Sequence, residues 1–544
     1  MSVKYGERGE LLRRILGERI VFLDGGMGTL IQREGLEESD FRGSEKELLE
    51  SKAVLKGNND LLNITRPDVI EKLERAYFEA GADIVTTNTF GATRLIQAEY
   101  GLADIAKKIN ACAAKIATTL AREFEERDGK PRFVAGSIGP MNKTASIPPN
   151  PDDTAARAVT FDELESSYRE QMRALYEGGV DLFLLETSFD TLNVKAAIYA
   201  YLTLKDEISL DIPIAVSMTV SDLSGRILSG QTISAFYESI KHAEPLFVGL
   251  NCSLGAEKMR PYIEEFDRIA ECYTHCYPNA GLPNPLSKFG YDQSPEEMAR
   301  HLQAYAADGL LNVIGGCCGT TPEHIKAVVE ACSKYPPRKP RQESEDMCLA
   351  GLEVLRLKKS GAPFVFVGER TNVMGSLAFK KMVREGRWQD AVSVAHAQVE
   401  NGANAIDVNF DEAMLDSKSC MRTFLNMLAA EPEIARVPTM IDSSDWQTLL
   451  AGLKCVQGKG IVNSISLKEG EEAFLSKALE IKKFGFAILV MAFDEKGQAV
   501  TKEDKVRICK RSYNLLLSVG IKPQDIIFDA NVLTVATGIP EHDA

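Results

Sequence analysis

Three cysteines stand where a metal could use them. Cys317 and Cys318 are adjacent in I-G-G-C-C-G-T-T-P-E-H, and Cys252 lies in V-G-L-N-C-S-L-G. Each follows a short apolar run that reads as a strand and precedes glycine and a helical pattern. Three thiolates meeting at strand ends would hold Zn²⁺ with one position left open, which is the pattern of catalytic rather than structural zinc. The natural occupant of that position is a substrate thiol. Asn279, in Y-P-N-A-G, is the candidate for a weak, displaceable fourth ligand. Two blander readings stand beside this one. A buried cysteine ordinarily behaves as a small apolar residue, and an adjacent pair can form a strained redox disulfide. Cys272 and Cys276 (C-Y-T-H-C) look like a second metal pair. Cys272 is expected in the preceding helix and Cys276 in mid-strand, so the two are not expected to converge. Two carboxylates also close strand runs, Asp24 in D-G-G-M-G-T and Glu186 in L-L-E-T-S-F-D. Acids at such a mouth suit the α-ammonium of an amino acid; the alternative is helix capping. D-G-G-M-G-T has neither G-K-[ST] nor G-x-G-x-x-G, so it is not a phosphate loop.

The elements that must carry these residues alternate along the chain. Between 20 and 330, eight apolar runs read as strands: 21–24, 82–86, 133–136, 182–186, 213–217, 247–251, 274–277 and 312–315. Helical patterns lie between them, with start signals such as Arg66-Pro67-Asp68 and Thr321-Pro322-Glu323. Eight β-then-α units over about 300 residues predict a (β/α)₈ barrel, whose chemistry sits at the C-terminal ends of its strands. A doubly wound open sheet is the competing architecture. Residues 333–341, S-K-Y-P-P-R-K-P-R, read as an extended spacer, and Cys348–Leu357 as helical. From Pro363 six further runs follow, at 364–368, 405–409, 437–442, 460–464, 487–491 and 525–529. The reading is therefore α/β, two (β/α)₈ TIM-type barrels in tandem, the second ending after six strands. The domains are residues 1–332, a linker 333–362, and 363–544. An unclosed barrel leaves strand edges that proteins normally cover, so the cadence points to a truncated piece of a longer chain.

Composition narrows the class. The 544 residues carry a net charge of −15, which leaves no basic face for nucleic acid or an anionic membrane. The charged start, M-S-V-K-Y-G-E-R, lacks a signal-peptide core, and no apolar run is long enough to span a bilayer. Eleven cysteines without a secretory signal fit a reducing, cytoplasmic setting and metal or thiol chemistry.

In the second half, polar residues again close the runs: Glu369-Arg370-Thr371-Asn372, Asp407, Asn409, Asp442-Ser443-Ser444, Asn463-Ser464, Asp494 and Asp529-Ala530-Asn531. No histidine or cysteine cluster accompanies them. Carboxylates and amides at six strand ends suit the donor and acceptor edge of a heterocycle such as a pterin; the alternative is ordinary loops and caps.

D-G-G-M-G-T, T-N-T-F, G-x-N-C and G-G-C-C-G, in this order over about 310 residues, resemble the homocysteine S-methyltransferase barrel. The resemblance implies zinc on Cys252, Cys317 and Cys318, with Asp24 and Glu186 holding the amino group of homocysteine. V-G-E-R-T-N, I-D-V-N, M-I-D-S-S, I-V-N-S-I-S-L-K-E-G and I-I-F-D-A-N-V-L-T-V-A-T-G resemble the pterin-binding domain of the cobalamin-dependent methionine synthase family. That resemblance implies pterin contacts from Gly375, Ser376, Asp407, Asp442, Asn463, Asp529 and Asn531. Family members carry F-D-P-N where this chain has Phe528-Asp529-Ala530-Asn531. The implied reaction moves methyl from 5-methyltetrahydrofolate through cobalamin to zinc-bound homocysteine, giving methionine. The family's cobalamin segment D-x-H-x-x-G does not occur in these residues, so cobalamin is expected on a domain outside them. Homocysteine activation is expected to be retained in this piece, and no general acid for the folate step is evident. The alternatives are a homocysteine methyltransferase using betaine or S-methylmethionine, and a non-catalytic thiol or redox binding module.

Overall fold

The computed structural model describes residues 5–287, 290–361 and 364–532. The predicted domain start at Pro363 and the stretch L-T-V-A-T-G (533–538) lie outside them. Eight parallel strands form the first sheet: β1 (Val21–Phe22), β2 (Ile84–Thr86), β3 (Phe133–Ile138), β4 (Leu182–Ser188), β5 (Ile214–Met218), β6 (Phe247–Gly255), β7 (Tyr273–Asn279) and β8 (Val313–Ile314). Neighbours in sequence are neighbours in space, β1 also pairs with β8, and one parallel bridge from Leu23 to Ile84 carries the ring from β1 to β2. Helices flank the strands as their start signals predict. Pro67 opens the helix Pro67–Glu79 at the position where a missing N–H costs nothing, and Thr321 caps Pro322–Cys332. The barrel interior is mostly apolar, with His275 stacked on Tyr277 inside it. Val21, Ile84, Phe133, Leu182, Ala215, Phe247 and Val313 pack together, and Leu12, Ile15 and Leu16 of the helix Glu7–Glu18 plug one end.

The predicted helix at 348–357 is instead an antiparallel hairpin, β9 (Met347–Ala350) with β10 (Val354–Leu357). Its apolar spacing suits either period, and Gly351-Leu352-Glu353 supplies the turn. The hairpin is the counterpart of the first barrel's plug. Leu349 and Leu355 pack against Met440, Ile461 and Ala487 at the starts of the second barrel's strands.

The second sheet has six parallel strands, β11 (Val367–Asn372), β12 (Ala405–Asn409), β13 (Thr439–Asp442), β14 (Ile461–Ile465), β15 (Ala487–Met491) and β18 (Ile526–Asp529), paired in that order. A two-strand insertion, β16 (Phe493–Asp494) with β17 (Gly497–Gln498), follows β15. The first run shifts by three residues from its expected start at 364: the Phe364 and Phe366 side chains stay exposed, Phe366 O accepts from Asn404 N–H at 2.8 Å, and the ladder with β12 runs over Val367–Asn372. No helix among the described residues is long and apolar enough to cross a membrane.

Side chains tie the two barrels together. Lys195 Nζ donates to the carbonyl of Gly458 at 2.8 Å and lies 4.3 Å from the Phe486 ring. Arg157 Nη2 donates to Asn426 O, and Asn426 Nδ2 returns a bond to Ala155 O. Tyr199 and Phe161 of the first barrel pack on Phe484 of the second, with ring centroids 4.7 and 5.4 Å apart.

Candidate active site

The three predicted cysteines converge at the C-terminal mouth of the first barrel. The β6–β7 ladder is regular through Asn251, loses register, and resumes at Gly255. Between them Cys252 (φ 59°) and Ser253 (φ 61°) adopt the left-handed region that L residues avoid. That bulge brings the Cys252 sulfur toward the turn after β8. The turn is fastened on both sides: Gly316 N–H donates to Asp24 O at 2.9 Å, Cys317 N–H to Pro278 O at 2.8 Å, and Ala280 N–H to Cys318 O at 2.9 Å. Gly319 (φ 80°) leaves no room for a side chain, because the Tyr291 ring lies against it. The sulfurs of Cys252, Cys317 and Cys318 all lie within 4.8 Å of one another, and Cys252 to Cys318 is 3.9 Å. All eleven cysteines are free thiols in this structure. Hydrogen bonds from Cys317 and Cys318 hold the Cys252 thiol well below the usual range, while the other two are pushed up. Three sulfurs this close form a donor set that a thiophilic divalent ion takes.

Asn279 is buried beside them, its Oδ1 accepting from Cys318 N–H at 3.1 Å and keeping a second lone pair. Asp24 is 2% exposed and accepts from Thr86 N–H at 2.7 Å and Thr86 Oγ1 at 3.0 Å. Burial lifts its pKa to about 8, with the charge of Glu186 adding to the rise. Glu186 accepts from the Ser137 hydroxyl, and burial lifts it to about 7. Both acids thus titrate well above the ordinary carboxylate range, so a positive charge beside them would favour their ionised forms. Cys276 lies in mid-strand as expected and donates to Met259 Sδ; Cys272 sits in the turn before β7, not in the helix, which ends at Ile269.

The second mouth gathers most of its predicted residues. Asn372 Nδ2 donates to Asp407 Oδ2 at 2.8 Å and Asp442 Oδ2 at 3.2 Å, and Asn409 Nδ2 donates to Asp442 Oδ2 at 3.0 Å. Asn463 is the β14 partner of Asp442 in the ladder. Burial, then mutual repulsion, lifts Asp407 to about 7; burial lifts Asp442 to about 6. Asp407 Oδ1 is buried without a partner. Gly375 and Ser376 form the turn that Asn372 fastens, and the Ser376 hydroxyl caps the helix Leu377–Arg384. Asp529 and Asn531 stand apart at the end of β18. Asp529 accepts from Asn531 N–H, and Asn531 Nδ2 donates to Ala492 O. Asp494 leaves the mouth for the β16–β17 insertion, where it pairs with Arg507 at 2.9 Å.

Residues beyond the predicted set complete both sites: Thr86, Ser137, Thr187, Asn251 and Tyr291 in the first, Asp411 in the second. Asp411 accepts from Ser443 Oγ at 2.5 Å and Ser444 N–H at 2.6 Å. The signal that finds several of them is a polar residue interrupting an apolar strand, as Ser137 and Asn251 do.

At the mouth of the first barrel, then, three sulfurs stand beside Asp24 and Glu186. Residues 21–332 match the family model described as homocysteine S-methyltransferase, and the chain belongs to that family. Residues 368–544 match the model for pterin binding enzymes, and the two in this order match the N-terminal half of methionine synthase. Among solved structures, the metallated form of the homocysteine methyltransferase MmuM from Escherichia coli is 21% identical, with a TM-score of 0.44 over 58% of this chain and 98% of that one. Its oxidized form is 20% identical, TM-score 0.43, over 57% and 95%. A rubisco-like protein from Burkholderia fungorum is 13% identical, TM-score 0.32, over 61% and 65%.

Proposed function

We propose that this methyltransferase delivers a methyl group to the thiol of homocysteine held by zinc on Cys252, Cys317 and Cys318. The methyl originates on 5-methyltetrahydrofolate in the second barrel and is relayed by cobalamin held on another domain. The observation that carries the reading is the convergence of three sulfurs from β6 and the turn after β8 beside buried Asp24 and half-buried Glu186. Zinc, when bound, deprotonates a coordinated thiol and keeps it nucleophilic at neutral pH. The chain's own residues do the rest. Asp24 and Glu186 ionise to hold the substrate ammonium, while Thr86 and Ser137 donate to those carboxylates and fix their direction. Asn279, buried beside the sulfurs, would serve as the displaceable ligand. In the second barrel Asp407, Asp442 and Asn463 face the edge of the pterin, with Gly375 and Ser376 shaping the loop beside it. Asp529 and Asn531 contribute from the β18 side. The second domain itself, residues 363–544 with the linker 333–362 before it, argues against betaine or S-methylmethionine as donor, since neither needs a pterin site.

Methyl transfer from added methylcobalamin to homocysteine tests this, before and after chelation. Turnover that vanishes with chelator and returns with zinc is the expected result. A metal-free protein that turns over equally well would sink the zinc reading.

A further inference from the structure

Asn251 is fully buried immediately before Cys252, and the mechanism above gives it no task. Its amide has one orientation. The backbone N–H of Thr187 can only donate, and it lies 2.9 Å from Oδ1; the Ser217 hydroxyl donates to the same oxygen at 2.6 Å. Nδ2 therefore faces the other way, donating to Thr187 Oγ1 at 2.8 Å and to Cys317 Sγ at 3.7 Å. The two residues it adjoins, Thr187 (φ 56°) and Cys252 (φ 59°), are both in the left-handed region, so one amide braces two strained turns. Thr187 follows Glu186, and Cys252 follows Asn251 itself. The amide thus touches the side of the mouth that holds the acids and the side that holds the sulfurs.

We propose that Asn251 is a positioning residue that tunes the Cys317 thiolate through an N–H···S hydrogen bond. The inference rests on the metal reading above and deepens it. An N–H directed at a thiolate draws charge from the sulfur, so Cys317 gives less to the metal, which stays a stronger Lewis acid toward an incoming thiol. The same bond fixes the rotamer of a ligand that sits in a glycine-rich turn. Outer hydrogen-bond partners of metal ligands typically account for 10–100-fold in metal affinity.

The test uses the full chain loaded with Co²⁺, read by its thiolate-to-cobalt charge-transfer bands, and with zinc, read by chelator competition. Asn251→Ala is expected to move the charge-transfer bands to lower energy with tetrahedral ligand-field bands retained. Loss of the restraint on the Cys317 rotamer, outweighing the stronger sulfur donation, is also expected to weaken zinc binding by about 10–100-fold. Ser217→Ala loosens the opposite side of the amide but keeps the N–H donor, and is expected to leave the band position at the parent value. Asn251→Ala with parent bands and parent zinc affinity overturns the assignment. So does an equal band shift in both variants, which would report general loosening. A parent protein showing no thiolate-to-cobalt bands would remove the metal reading and this assignment together.

Discussion

Asp407 keeps one carboxylate oxygen without a partner in a buried mouth, and that is an expensive arrangement for a side chain with only a structural role. Its folded-state pKa of about 7 lies above the ordinary carboxylate value of 3.8. The native state therefore prefers the protonated form. That contribution to stability is complete below about pH 4 and is lost as pH rises through about 7. Asp407→Asn keeps the shape and removes the titration. It should stabilise the chain by about 1–3 kcal/mol at pH 8, much less at pH 5, while abolishing folate binding. Denaturant melts at the two pH values check this, and an equal difference at both would refute it. In the first mouth an ionised Asp24 would hold an ammonium by charge-assisted hydrogen bonds, worth about 1.5–3 kcal/mol each. Asp24→Asn should weaken homocysteine binding about 10–100-fold with metal content unchanged, as calorimetry on the zinc-loaded protein would record. Loss of metal in that variant would instead give Asp24 a structural role. The chemical residues were legible because three cysteines and two acids fall together at strand ends of one barrel, a coincidence that none of them carries singly. Thr86, Thr187 and Tyr291 were not, because their partners lie tens of residues away in sequence and only the closed ring brings them together.

At the scale of elements, runs such as Ala405–Asn409 and Ala487–Met491 were readable from continuous apolar stretches ending in a polar or sulfur-bearing residue. The hairpin β9–β10 was not, because its leucines fit a helix equally well and its real partner is the floor of the second barrel. Main chain packs directly on main chain there. Ala350 N–H donates to Lys459 O at 2.9 Å, and Leu352 N–H to Ala435 O at 2.8 Å. On the other side Gln231 Nε2 donates to Gly351 O at 2.7 Å and Thr232 N–H to Leu352 O at 3.1 Å, so the hairpin is shared by both barrels. A methyl group on Gly458 would collide with the carbonyl of Ala350. Gly458→Ala should therefore cost about 2 kcal/mol or more through overpacking. Amide exchange at Leu349 and Ala350 should rise, with the cysteine site still able to bind metal. Unchanged exchange at those amides would show that the plug adjusts and does not hold the floor.

At the scale of the whole molecule, Lys195 joins the two barrels. It is fully buried, donates to Gly458 O and Val456 O, and lies over the Phe486 ring. Burial, reinforced by the nearby charge of Lys459, pushes its pKa well below the usual lysine value of 10.5. The native state then prefers the neutral amine. The stability this contributes is complete above the ordinary lysine range and is lost as pH falls through the lowered folded value. Two carbonyls and an aromatic face accept N–H donors from the neutral amine, so the junction weakens only when a proton must be buried with it. Lys195→Met fills the same space and removes both the donors and the titration. At alkaline pH it should be less stable than the parent, because two carbonyls lose their donor. As pH falls the gap should narrow, because only the parent must bury a charge. Thermal melts of both proteins from pH 10 to pH 6 measure that gap, and a constant difference across the range would show that Lys195 carries no titrating role at the junction.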